Sequence, residues 1–320
     1  MNGLSSTWSW SPAVSIGLAV AVLAYWRGAR RVVHALDGRA RVTARRLRAL
    51  SFYAGIGVVC VALQSPVDTM SDQVFWSHML QHLLLIMVAA PLLVLGGPLT
   101  PMLRGLPLGA RRTVLGFAAN RKWTRGLGGV ILFALRPGPV LVIFVADLYA
   151  WHWNFLFAAT LQHPVVHIFE HCCFLATAVV FWGQLIEQRG VRVRLSLPQR
   201  ILYCITAAGV SNILSMYFVF SPHADYPYYA AVTHRPFRIS ALADQQFAGA
   251  LMWVPVLFIF GGAAVICFVL WLREQDAMDS RPVQRTRSPG VVLASSNQRM
   301  HPVIEAVHPY NERSIVERDK

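Results

Sequence analysis

Lysine is almost missing from this chain: Lys122 and Lys320 are the only two, and neither falls in a hydrophobic run. A retinal-type Schiff base inside a membrane span therefore has no amine to form on. Cysteine is sparse as well. Cys60, Cys172, Cys173, Cys204 and Cys267 all lie within predicted spans, so no disulfide framework is implied and the Cys172–Cys173 pair reads as small packing residues. There is no Gly-rich phosphate loop and no internal repeat. Charge of either sign is scarce, at 14% of residues against 55% hydrophobic, and the mean hydropathy is +0.47. That balance excludes a soluble domain of 320 residues and leaves a polytopic membrane protein.

Spanning the hydrocarbon takes roughly 17–25 largely apolar residues in a helix. Seven stretches are candidates, at 12–26, 49–63, 78–95, 139–151, 163–186, 201–220 and 247–272; the first, second and fourth are short, and their ends are expected to extend into the flanking aromatics. The fold class expected is all-α, a seven-transmembrane-helix bundle occupying residues 1–275, with a polar, disordered cytoplasmic tail over 276–320. Basic residues set the orientation. Segments 27–48, 96–136, 187–200 and everything after Leu272 hold 27 of the 29 Lys and Arg, and only Arg235 and Arg238 lie in the alternate loops. The positive-inside rule puts the N-terminus outside and the C-terminus in the cytoplasm. The net charge of +14 is thus a topology signal with some affinity for anionic lipid, and nucleic acid is not an expected partner. The first span lacks a basic leader and a small-residue cleavage site, so it is expected to be retained. Trp76, Trp151, Trp153, Trp182 and Trp253 mark membrane interfaces, and Pro91, Pro139 and Pro255 sit where a span can kink.

Histidine is the abundant functional residue. On this topology eight of eleven gather at the outer ends of the spans: His78, His82, His152, His163, His167, His171, His223 and His234. The runs His78-x-x-x-His82 and His163-x-x-x-His167-x-x-x-His171 return imidazoles to one helical face, the spacing of metal or haem ligands. Glu170 shares that face, while Asp68, Asp72, Asp147 and Asp244 lie at similar depth. Ionisable groups at membrane depth are costly and usually paired or functional, and a cation shared by neutral imidazoles and a carboxylate offsets that cost. His78, His82, His167 and His171 are the expected metal ligands, with Asp244 as a further ligand or supporting carboxylate. Additional candidates are His163, His152, Glu170, Asp68, Asp72 and the thioether of Met252, with Met70 and Met79 as other soft donors. His152, His223 and His234 also suit interfacial hydrogen bonding, and the methionines also suit packing.

Ser65-Pro66, Ser77-His78-Met79-Leu80-Gln81-His82, Ala90-Pro91-Leu92-Leu93-Val94-Leu95-Gly96, Trp151-His152, His167-Ile168-Phe169-Glu170-His171 with Phe181-Trp182, and the run from Asp244 to Trp253 occur in this order. Together they resemble the CtaG family of seven-span cytochrome c oxidase assembly factors over about residues 50–272. Trp153-Asn154 departs from that pattern, since relatives tend to carry proline near this point. The resemblance implies a bacterial inner-membrane protein, not an enzyme, that matures a haem-copper oxidase by helping copper reach an oxidase subunit or by exchanging it with a periplasmic copper carrier. Its site would face the periplasm, and affinity would fall as imidazoles protonate.

Other readings use the same histidines. A b-type cytochrome would hold haem between the third and fifth spans, and another transition metal would serve a membrane metalloenzyme. Di-iron hydroxylases carry adjacent His-His pairs, which this chain lacks. A copper transporter needs polar groups across the membrane, whereas the inner halves of the third and fifth spans are nearly all apolar. The outer segments 64–77 and 221–245, the latter with Tyr226, Tyr228 and Tyr229, are expected to dock the metal's recipient.

Overall fold

The computed structural model describes residues 8–30, 39–119, 126–188, 193–233 and 235–280. Contacts divide the chain into Met1–Met278, which holds the helical bundle, and Asp279–Lys320, of which only Asp279 and Ser280 are described. His34, His234, His301, His308 and the expected tail from Arg281 onward lie outside the described residues.

In chain order the helices are α1 (Pro12–Arg30), α2 (Arg39–Gln64), α3 (Pro66–Ser71), α4 (Phe75–Leu95), α5 (Leu99–Gly105), α6 (Leu108–Ala119), α7 (Leu127–Ala134), α8 (Pro137–Trp151), α9 (Asn154–Gln162), α10 (Pro164–Trp182), α11 (Leu197–Phe220), α12 (Pro227–Ala231) and α13 (Ala241–Asp279). The protein is an all-helical, multi-pass membrane protein. Six of these are long and apolar enough to cross a membrane, on α1, α2, α4, α10, α11 and α13. A seventh crossing arises only if α7 and α8 form one span bent by 77°. The bend corrects the expectation of a simple fourth span, and its cause is local. Pro137 and Pro139 flank Gly138, and the residue before a proline is pushed out of the helical region, as Arg136 is at φ −74°, ψ 151°. α13 runs to Asp279, four residues beyond the expected end of the membrane domain.

Lipid tails are as apolar as leucine, so these helices are held together by close packing and hydrogen bonds rather than by expulsion of water. α4 is the hub: 61% of its apolar window is buried inside the protein, against 11% for α1. Midway along α4, Leu84–Ala89 form a π-helical stretch, in which the Ala90 amide donates to the Leu85 carbonyl five residues back. In that register the next carbonyl, Ile86, should receive the amide of residue 91. Pro91 has none. The indole Nε1–H of Trp182 on α10 takes its place at 2.9 Å from the Ile86 oxygen. A proline in a span is thereby turned into a tie between α4 and α10, at the level of a core of Phe144, Phe181, Trp182 and Phe260.

Near the opposite end from the histidines, α1 and α5 touch backbone to backbone. A Cβ on Gly28 would lie 1.7 Å from the Pro101 carbonyl oxygen, and one on Gly105 would lie 1.8 Å from that of Ala24. Tyr25 stacks on Phe52 of α2 with ring centroids 3.9 Å apart and donates its hydroxyl to the Gly96 carbonyl at 3.1 Å. Gly105→Leu or Gly28→Leu is expected to undock α1 and cost about 3 kcal/mol or more, because the colliding atoms are backbone and cannot rotate away. Gly17→Leu, where a Cβ meets nothing within 4 Å, is the neutral control. Thermal denaturation of the purified protein in detergent checks this, and equal midpoints for Gly105→Leu and Gly17→Leu would refute it.

Candidate metal centre

The start of α4 fixes the position of its histidines. Its N-cap residue, Val74, has no side chain able to accept from the first-turn amides. Asp244, at the start of α13, accepts from the amides of Phe75 at 2.8 Å and Trp76 at 3.0 Å. A carboxylate on the positive end of the helix dipole satisfies two orphan donors at once. Both Asp244 oxygens are engaged in this way, so Asp244 holds the start of the helix that carries His78 and His82.

Below this cap, α4 presents two polar faces. On one, Ser77 donates to the Val67 carbonyl at 2.8 Å, and Gln81 donates to the Ala62 carbonyl at 3.0 Å and to Asp68 at 2.8 Å. These bonds fasten α4 to α2 and α3. Asp68, also bonded by Ser9, is therefore a structural acceptor, and burial pushes its carboxyl up from the ordinary value against those hydrogen bonds. Asp72 is exposed. On the other face stand His78 and His82.

His78 and His82 meet His167, Glu170 and His171 of α10. One donor atom each from His78, His167, Glu170 and His171 lies within 4.8 Å of all the others. His78 Nε2 is 3.4 Å from Glu170 Oε2, and His82 Nε2 is 3.6 Å from Glu170 Oε1. The His78 ring lies 4.9 Å from that of His167 and 4.6 Å from that of His82, while His167 and His171 are 4.3 Å apart. His78 and Glu170 are wholly buried, and His82 and His171 nearly so. Phe157 packs on His78 and Phe174 on His82, with Phe75 and Phe218 behind Phe157, while His167 is partly exposed.

Tautomers follow from the surrounding bonds. Tyr229 donates its hydroxyl to the Ser71 carbonyl, and burial raises its phenol well above the ordinary value, so its proton is committed. His78 Nδ1, 3.3 Å from the same phenol oxygen, must then be the donor, which turns the Nε2 lone pair toward Glu170. Seven buried atoms of the cluster make no hydrogen bond: His78 Nε2, both nitrogens of His82, His167 Nε2, His171 Nε2 and both oxygens of Glu170. Buried polar atoms are paired in the great majority of proteins, and each orphan costs about 1–3 kcal/mol. Unpaired imidazole nitrogens and carboxylate oxygens at these distances fit a cation held between them.

The remaining candidates lie apart from the cluster. His163 is the exposed N-cap residue of α10, and His223 is exposed beside Asp225 at 3.4 Å. Asp147 is taken up by Thr177 at 2.7 Å and Trp151 at 2.9 Å. His152 is buried and gives its Nδ1 proton to the Leu148 carbonyl at 2.7 Å, with its ring 6.1 Å from that of His82. Met252 is buried next to it. Trp153-Asn154 forms an ordinary junction, with Trp153 extended and capping α9. Tyr226 and Tyr229 do not face outward as expected for a docking surface. They turn in as a roof: Tyr226 bonds the His152 carbonyl at 2.9 Å and packs on Phe157 at 4.2 Å. Only Tyr228 of the three is exposed. A cleft of about 590 Å³ bordered by α1, α2 and α10 reaches His167 and His171 from the side.

The family model of the cytochrome c oxidase caa3 assembly factor matches residues 23–274, which contain the whole cluster and its supports. The chain belongs to this family. It is 29% identical over 281 residues to an uncharacterized protein of Mycobacterium bovis and equally to one of Mycobacterium tuberculosis, covering 81% of this chain and 41% of theirs. An uncharacterized protein of Mycobacterium leprae is 26% identical over 232 residues, 69% of this chain and 34% of that protein. The chain thus spans about two fifths of the length of the first two of these relatives. No solved structure matches.

Asp244→Ala is expected to cost about 1–2 kcal/mol through loss of the cap and to speed amide hydrogen exchange at Phe75 and Trp76 specifically. Unchanged exchange at those two amides, followed by mass spectrometry or NMR, would show that Asp244 does not hold α4.

Proposed function

We propose that this protein supports oxidase assembly by holding a copper ion among His78, His167, Glu170 and His171, with His82 adjoining, on the outer side of the bacterial inner membrane. The observation that carries this reading is the set of seven unpaired, buried donor atoms converging between α4 and α10. Imidazole is a donor suited to copper, and one carboxylate lowers the net charge that a divalent ion would bring into the bilayer. When bound, copper at this site is cargo for an oxidase subunit or a periplasmic copper carrier, and the protein's residues supply shelter from water and a fixed array of donors. Asp244, Gln81 and Tyr229 hold the imidazoles in place, as outer hydrogen bonds do for metal-ligating histidines elsewhere. The cleft reaching His167 and His171 is the route of exchange.

The facing of the site rests on charge. By sequence, the segments 27–48, 96–136 and 187–200 follow the first, third and fifth spans and carry 19 of 29 basic residues, whereas α3, α9 and α12, beside the cluster, carry none. Tyr228→Cys is expected to react with a membrane-impermeant thiol reagent in intact spheroplasts, and Gly109→Cys only after the membrane is opened, both in a background whose native cysteines are blocked. The opposite pattern would invert the orientation.

Glu170→Gln keeps the size of the side chain and removes its charge. We expect Glu170→Gln and His171→Ala to leave membrane abundance unchanged while lowering copper in the purified oxidase, and its activity, at least about tenfold, the scale on which metal sites respond to loss of such groups. Added external copper should restore part of it. Normal oxidase copper in both variants would reject metal handling, and a Soret band in the purified wild-type protein would replace copper by haem.

A further inference from the structure

His152 and Met79 meet in an arrangement that the copper cluster does not explain. His152 Nδ1 is 2.7 Å from the Leu148 carbonyl, which can only accept, so Nδ1 carries the proton. The imidazole is buried with no carboxylate bonded to it, and burial favours the neutral ring. Its other nitrogen, Nε2, therefore bears a lone pair, and it faces the thioether sulfur of Met79 at 3.3 Å. Sulfur has no proton to offer. Two acceptors thus point at one another in a dry interior, beside a cavity of about 30 Å³ that His82, His152, Met79 and Met252 all border. Within the same cavity wall, Ser211 Oγ also lacks a hydrogen bond.

We propose that His152 Nε2 and Met79 Sδ form a second metal site, taking a soft, monovalent d¹⁰ ion of the Cu(I) and Ag(I) class, with Met252 as a further thioether donor at the cavity's edge. This deepens the copper reading and rests on it only for the physiological identity of the ion. A nitrogen–sulfur separation of 3.3 Å is spanned by bonds of about 2.0 Å to nitrogen and about 2.3 Å to sulfur. The ligand sets of the two sites differ in kind. The first has a carboxylate and three imidazoles, a set that accepts divalent ions; the second has imidazole and thioether with no carboxylate, which selects the reduced ion. His82 lies between them, its ring 5.5 Å from that of His171 and 6.1 Å from that of His152, with neither of its nitrogens hydrogen-bonded. A monovalent Cu(I) or Ag(I) ion can therefore step from one site to the other, with no change of oxidation state, by exchanging ligands at a single imidazole.

The test uses the full chain in detergent, its cysteines alkylated, with methionine methyl groups labelled with ¹³C and the Met79 signal assigned by its loss in Met79→Leu. Silver(I), soft and redox-inert, is titrated in, and zinc(II) separately. Silver is expected to shift the Met79 methyl signal and zinc to leave it unmoved. His152→Gln should raise the silver concentration needed at least about tenfold, the penalty of losing a ligand. Glu170→Gln should weaken zinc binding and leave the silver response of Met79 in place. A Met79 signal that does not respond to saturating silver, or responds equally in His152→Gln, would overturn the second site. Zinc binding unaffected by Glu170→Gln would count against the first site alone, so the two readings fail separately.

Discussion

The structure turns on one buried carboxylate. Glu170 lies wholly inside the bundle, at membrane depth, with two imidazoles at 3.4 and 3.6 Å and no hydrogen bond to either oxygen. A charge in that position is expensive unless something positive answers it. His78 offers Glu170 a lone pair rather than a proton, because its proton is fixed on the far nitrogen by Tyr229. The cation that we propose is shared by Glu170 and the imidazoles would answer that charge, and the surrounding structure is arranged around these groups.

Each support acts through ordinary polypeptide chemistry. Asp244 replaces a missing N-cap and thereby sets the height of His78 and His82. Gln81, one residue before His82, anchors the reverse face of α4 to α2 and α3. Two residues after His82 the helix enters its π turn, and Trp182 takes up the carbonyl that Pro91 cannot satisfy. Such π turns are frequent beside functional sites, where they rotate the flanking residues relative to a regular helix. The roof of Tyr226 and Tyr229 closes the outer end, so the donors are shielded from bulk water while the lateral cleft reaches His167 and His171.

Much of this was legible in the sequence because membrane folding imposes strong patterns. Hydrophobic length located the spans, and the i, i+4 spacing of His78/His82 and His167/His171 placed four imidazoles on facing helices. The bent α7–α8 pair was less visible, since periodicity does not show how Pro137-Gly138-Pro139 redirects the chain. Glu170 stood out only as a neighbour in phase, and its central position depends on how α10 rotates against α4. Asp244 was visible as a carboxylate at the right depth, but its bond to backbone amides depends on a tertiary contact across 169 residues. The tyrosines of the outer segment read as a contact surface because composition alone does not tell an inward-facing aromatic from an outward-facing one. Met79 sits between His78 and His82 in sequence, yet points at a third helix, to His152.

We propose that the donors on α4 and α10 hold one metal ion. X-ray absorption at the copper edge of the full chain, loaded with one equivalent of copper and washed, tests it most directly. The account predicts a first shell of nitrogen and oxygen near 2 Å, with the multiple scattering of at least two imidazoles, and loss of that imidazole scattering in a His167→Ala, His171→Ala double variant that remains folded. Copper that binds with no imidazole signature, or keeps it unchanged in the double variant, would contradict the account.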